Sequence, residues 1–275
     1  MGAARAAGIA AVLGVMLASL PALATGPSVR DPTALRVCAD PSSLPFSNTA
    51  GEGFENKLAE MLAAELRVPV RYTWYPQSVG FVRNTLGALR CDVIMGMTTA
   101  SELVQNTNPY YRSVYALVYR RESGLSARAL GDPQLDGKRI GVIAGTPPAS
   151  QLAALGRLAS MQPYHLVVDT RAESPARQMI DDVAQGKTDA AVAWGPVAGY
   201  FAKRHGDTLA VVPLAAESGG TRLDFRVTLG VRTGDDEWKK TLNAILAKLQ
   251  PRIDALLREY GVPLLDEAAE LSHSQ

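Results

Sequence analysis

Cysteine and histidine are scarce in this 275-residue sequence, which has two Cys and three scattered His (His165, His205 and His273). So few ligands at such spacings cannot build a zinc cluster, which needs Cys and His in short regular steps. An excess of either charge is also missing: 28 Lys plus Arg stand against 27 Asp plus Glu, a net charge of +1, with no basic block. That argues against a nucleic-acid protein, whose binding needs clustered Lys and Arg to displace counterions. No G-x-S-x-G elbow, H-E-x-x-H helix or P-loop occurs, so the commonest nucleophile, metalloprotease and nucleotide signatures are excluded. What is present is 47% hydrophobic and 20% charged residues, the proportions of a packed globular chain. The length suits one large domain or two of roughly 100 to 150 residues. This leaves a binding protein, or an enzyme built from carboxylates, hydroxyls and backbone, with no metal or cofactor called for.

One apolar run stands out, at the amino terminus. Residues 1–24 carry a single charge, Arg5, then an alanine-rich stretch to Leu20, Pro21, and the small-x-small triplet Ala22-Leu23-Ala24. That order is expected of a cleavable secretory signal peptide. The stretch falls short of the roughly 20 residues that a membrane anchor needs. Export permits a disulfide, and Cys38 and Cys91 are the only candidates. Cys38 lies late in its expected strand and Cys91 early in its own, an offset that could hold the two α-carbons beyond the roughly 7 Å limit. Both a bridge and two free thiols are compatible with the sequence.

The rest alternates strand and helix. Expected strands cover residues 35–38, 68–74, 91–97, 114–119, 139–143, 164–168, 189–194, 209–212 and 225–231. Expected helices cover 54–66, 81–89, 146–158, 174–185, 197–205 and 236–249, then 251–260 after a break at Pro251, with a polar tail from Asp266. Continuous apolar runs such as Val93-Ile94-Met95, joined by helices, signal parallel sheets covered on both faces. Two such units with a late long strand predict two lobes linked by two strand crossings, with a ligand cleft between them.

Several segments resemble the periplasmic solute-binding proteins of the polar amino-acid type. They are residues 35–40 followed by Leu44-Pro45-Phe46-Ser47, then Gly53-Phe54-Glu55-Asn56-Lys57-Leu58-Ala59, then 91–98 followed by Pro109-Tyr110-Tyr111, and Gly186-Lys187-Thr188-Asp189-Ala190. The likeness runs through nearly all the chain after residue 24. It implies an α/β, two-lobed type II periplasmic binding protein fold, each lobe a mostly parallel sheet flanked by helices. The expected division is 25–117 plus 228–275 for lobe 1 and 118–227 for lobe 2, in the periplasm.

A narrower set is similar to the quinoprotein dehydrogenase-associated members, the J proteins of methanol-oxidation systems (MoxJ and XoxJ). It comprises Cys38-Ala39-Asp40-Pro41, residues 80–86, Arg90-Cys91-Asp92-Val93, Pro109-Tyr110-Tyr111-Arg112-Ser113 and 194–200. This resemblance implies a non-catalytic accessory role beside a periplasmic PQQ-dependent methanol dehydrogenase and its cytochrome c. In the transporter pattern an Arg between the third strand and the Pro-Tyr-Tyr element clamps the ligand carboxylate, and an acid in the second domain pairs with its ammonium. Here residues 98–109 hold no Arg or Lys, and Trp194-Gly195-Pro196 stands in the place of the acid.

Phe46, Tyr75, Tyr111 and Trp194 lie at strand ends or loops and are candidates for cleft walls or for core closure, and Thr98 lies at the end of its strand. Arg83 and Arg112 could hold an anion or a partner carboxylate, or make ordinary salt bridges. Glu55, at a helix start, is expected to favour the local dipole, with a catalytic carboxylate of a lyase or dehydratase as the rarer alternative. Thr146 is expected to cap its helix or, less often, to present a hydroxyl and free N–H groups to an anion. Asp181-Asp182 and Asp235-Asp236-Glu237 read as solvated faces or caps. The readings to separate are thus a dehydrogenase accessory, a receptor for an uncharged or anionic solute of an importer, and a cleft enzyme.

Overall fold

The computed structural model describes residues 30–99, 101–166, 169–170, 172, 174–215 and 220–265. The expected signal peptide and the polar tail lie outside them. In chain order the elements are β1 (Leu35–Ala39), β2 (Ser42–Ser43), β3 (Ser47–Asn48), α1 (Phe54–Leu66), β4 (Val70–Trp74), α2 (Phe81–Asn84), β5 (Val93–Thr98), β6 (Gln105–Asn106) and β7 (Tyr111–Arg120). They continue with β8 (Ile140–Ile143), α3 (Pro147–Ala154), β9 (Met161–Tyr164), α4 (Pro175–Ala184), β10 (Ala190–Trp194), α5 (Gly195–Lys203), β11 (Leu209–Pro213), β12 (Asp224–Val231) and α6 (Asp236–Glu259).

Strand periodicity builds two lobes. In the first, β4, β1 and β5 run parallel and β12 closes the sheet antiparallel to β5. Leu35, Val37, Ala39, Val93 and Met95 point to one core with α1 and α6, while Cys38 and Ile94 point to another with Phe81 and Leu86. Alternate side chains are therefore buried on both faces, as a helix-covered parallel sheet requires. The second lobe repeats the scheme. β9, β8 and β10 are parallel, and Ala190 and Val192 enter one core while Ala191 and Ala193 enter the opposite one.

β7 belongs to both sheets. Residues 111–114 pair with β12, and residues 115–120 pair with β10 and β11. The two strands expected to cross between lobes are thus adjacent partners.

The bridge between Cys38 and Cys91 is formed, with α-carbons 5.5 Å apart. The offset along the strands does not prevent it: Cys38 is opposite Ile94, and Cys91, outside β5, packs in the same cluster as Cys38. Nearby, the Asp92 carboxylate accepts from Arg36 of β1 at 2.7 and 2.8 Å and from Arg232, just past β12, at 2.7 Å.

Several sequence-based boundaries move. The helix expected over 81–89 ends at Asn84, where the Thr85 hydroxyl donates to the Phe81 carbonyl at 2.6 Å and Gly87 follows, both poor continuations of a helix. The strand expected over 164–168 is β9, three residues earlier at its start, an edge strand that tolerates Pro163; residues 167 and 168 lie outside the described part. Pro251 does not break the last helix. Trp238, Leu242, Leu246, Leu249, Ile253 and Leu257 form one buried stripe through it, and packing of that stripe outweighs the one backbone bond that an exposed proline forfeits.

Candidate functional site

The parallel strands of both lobes end at one crevice, where ligands of open α/β sheets are held. It encloses a cavity of about 500 Å³. The first lobe contributes Phe46 from the β2–β3 turn, Glu55 from α1, and Gly96 and Thr98 from β5. The second contributes Ile143, Thr146 and Trp194 from the ends of β8 and β10 and their following turns. Tyr111, Tyr115 and Phe225 come from the crossing strands. Across the mouth, the Thr170 hydroxyl donates to Asp40 at 3.3 Å.

Six of the nine candidate cleft residues therefore meet at this cavity: Phe46, Glu55, Thr98, Tyr111, Thr146 and Trp194. Three do not. Tyr75 packs on Phe81 beside the disulfide and accepts from Asn84 at 3.0 Å. Arg83 is an exposed residue of α2, and Arg112 pairs with Asp224 across β7 and β12 at 2.9 Å.

Sequence reasoning missed Tyr115 and Phe225, which stand one strand apart. With Trp194 they form an edge-to-face triangle with ring centres 5.4, 5.8 and 6.5 Å apart. Only the β7–β12 and β7–β10 registers reveal it, since these residues are far apart in the chain.

Glu55 stands in the first turn of α1, where an acid was expected, and its side chain is buried, 7% exposed. Among the described residues its carboxyl has no hydrogen-bond or ion-pair partner, and burial raises its pKa from 4.5 to about 8. It lies so close to β5 that a side chain at Gly96 would stand 2.3 Å from its Oε1. Burial and the neighbouring Glu55 also hold the Tyr111 hydroxyl well above its usual value, with the Trp194 side chain's hydrogen bond opposing the shift.

Thr146 occupies the N-cap position of α3 but does not cap it. Its hydroxyl donates to the Ile143 carbonyl at 2.7 Å. Pro147 and Pro148 then remove two of the N–H groups that an anion would use there. Asp182 is likewise not solvated. Its carboxylate accepts from Tyr164 at 2.7 Å and Lys187 at 3.0 Å, away from the cavity. Among the described residues no group of three or more His, Cys, Asp or Glu could hold a metal, and no helix is long and apolar enough to cross a membrane.

The sequence profile of the bacterial extracellular solute-binding proteins, family 3, matches residues 35–262. The chain belongs to that family. Protein MoxJ of Methylorubrum extorquens is 32% identical over 86% of this chain and 83% of its own length. Protein MoxJ of Paracoccus denitrificans is 30% identical over 87% and 92% respectively. The crystal structure of periplasmic binding protein XoxJ from Methylobacterium extorquens AM1 is 44% identical, covers 85% of this chain and 100% of that one, and superposes with a TM-score of 0.73. As a solute-binding family member the chain has the two-lobed fold and its cleft. The described lining of that cleft contains no Arg or Lys, and Glu55 is its one carboxylic acid.

Proposed function

We propose that this protein is a non-catalytic periplasmic accessory of a methanol-oxidation system, which binds a PQQ-dependent methanol dehydrogenase and assists its maturation or activation. The observation that carries the reading is a receptor cleft without a basic side chain among its described lining residues, in a chain similar along most of its length to MoxJ and XoxJ. An amino acid closing into this cleft would leave its carboxylate desolvated and unpaired, a cost of several kcal/mol. The lobes divide as 25–117 with 228–275 and 118–227, so that the hinge falls on β7 and β12. Residues 1–24 direct export, and the dehydrogenase's cytochrome c is a second candidate partner.

The test is to co-express the dehydrogenase with and without this chain and to look for a complex by affinity capture. The expected result is a recovered complex and a higher fraction of active, cofactor-loaded enzyme. Unchanged dehydrogenase activity with no complex would overturn the reading. Calorimetry against the standard amino acids is expected to show no micromolar binding.

A second reading is favoured by the cavity itself. A volume of about 500 Å³ lined by aromatic and aliphatic side chains is of ligand-pocket size, so the cleft serves as a receptor for a small molecule that is not an amino acid.

A further inference from the structure

We infer that the interlobe cavity takes a small organic cation, an ammonium bearing alkyl or methyl groups, held between the Glu55 carboxylate and the aromatic faces of Tyr115, Trp194 and Phe225. The inference rests on the reading of the cavity as a small-molecule site, and it names the chemical class. It does not depend on whether the protein docks on a dehydrogenase.

Glu55 is the first ground. A buried carboxyl is ordinarily paired or hydrogen-bonded, because an isolated one is costly. Glu55 lines the cavity, is nine-tenths buried, and has no such partner among the described residues. Gly96, with φ +68, is what lets the carboxyl lie against β5, since any side chain there would collide with it. The described lining offers no Lys or Arg as counter-charge. Arg222, which stacks over Phe225 at 5.7 Å, is already paired with Asp224 at 3.7 Å. When Glu55 ionises, no described lining residue supplies a counter-charge, and a cationic ligand would.

The rings are the second ground. Cations are attracted to the electron-rich faces of aromatic rings, most strongly where water is excluded, and quaternary ammonium groups are recognised by cages of such rings. The triangle of Tyr115, Trp194 and Phe225 packs edge to face. All three line the same cavity as Glu55 and Tyr111. An inorganic cation would need several oxygen ligands, and one carboxylate in an apolar wall does not supply them.

Binding is coupled to a proton. In the empty cavity Glu55 keeps its proton to about pH 8, and a bound cation favours the ionised form. The other titratable groups facing it, Tyr72, Tyr110 and Tyr111, are all held above their usual value by burial and stay neutral in this range. Affinity for a permanently charged cation should thus rise about tenfold from pH 7 to pH 9, as the ionised fraction of an acid titrating near 8 does.

The experiment is calorimetry of the full chain with choline, with its uncharged isostere 3,3-dimethylbutan-1-ol, and with N-acetyl-lysine methylamide as the protein-borne form of the same chemistry. Saturable choline binding at least about tenfold tighter than the isostere, strengthening with pH and lost in Glu55→Gln, is the expected result. Binding of the lysine derivative alone supports the cationic site and assigns its source to a protein side chain. Equal binding of choline and the isostere, or absence of binding by all three, overturns the inference, while a receptor for another class of small molecule is left standing. Trp194→Leu, with the wild-type pH profile, gives a readout that stands if Glu55→Gln does not fold.

Discussion

A carboxyl group that leaves water without gaining a partner keeps its proton longer, and Glu55 does so from 4.5 up to about 8. The folded chain therefore binds one more proton than the unfolded chain between those two values, so stability falls as pH rises through that window. The loss approaches about 1.4 kcal/mol for each pH unit. Thermal or urea denaturation from pH 5 to 8 should show that decline in the wild type. Glu55→Gln should flatten it, and an undiminished slope in the variant would remove the assignment. Glu55 could be placed at a helix start from the spacing Phe54, Leu58, Leu62. Its solitude could not, because that depends on Gly96, which lies far along the chain in another element.

At the scale of elements, α5 shows how small residues decide packing. Gly195 and Gly199 are one helical turn apart; the Gly261 backbone after α6 presses on Gly199, and the Val114 carbonyl of β7 with the Pro263 ring presses on Gly195. A Cβ at Gly199 would stand 1.8 Å from the Gly261 carbonyl oxygen, and one at Gly195 would stand 2.7 Å from Pro263. Tyr200 stacks on Tyr260 beside them, and Lys203 donates to the Glu259 carbonyl at 2.7 Å. This clasp ties the second lobe to the carboxyl-terminal helix next to the cavity. In Gly199→Ala, the gain in helix propensity of about 1 kcal/mol competes with overpacking against backbone, which costs about 1 to 3 kcal/mol. The contact is far inside van der Waals range, so overpacking wins: chemical denaturation should show net destabilisation. A stabilised variant would mean that the clasp gives way freely. The Trp194-Gly195-Pro196 motif was visible in the sequence, but the reason for its glycines was not. Pro251 makes the opposite point. A local rule predicted a break, and a buried stripe spanning the whole helix overrode it.

For the molecule as a whole, cohesion of the first lobe depends on one covalent tie. The Cys38–Cys91 bridge spans a sequence separation of 53 residues, for which loss of loop entropy in the unfolded chain contributes about 4 kcal/mol. Replacing both cysteines with serine should lower the unfolding free energy by about that amount in urea titrations. Choline binding should survive where the protein remains folded, because neither cysteine lines the cavity. An unchanged midpoint would mean that the bridge adds nothing that the surrounding apolar cluster does not already supply.

The main alternation of strands and helices and burial of the sheets on both faces were legible in the sequence, because each depends on periodicity within a short stretch. The short strands β2, β3 and β6 and the unbroken α6 were not. The lack of Arg and Lys in residues 98–109 is legible too, and its meaning comes from the family resemblance. Which aromatic rings meet, that Arg112 pairs with Asp224 instead of entering the cleft, and that one cavity-lining carboxyl has no partner among the described residues were decided only by tertiary structure. Those facts follow from strand register and from the approach of elements distant in the chain, and no local pattern encodes the distance between them.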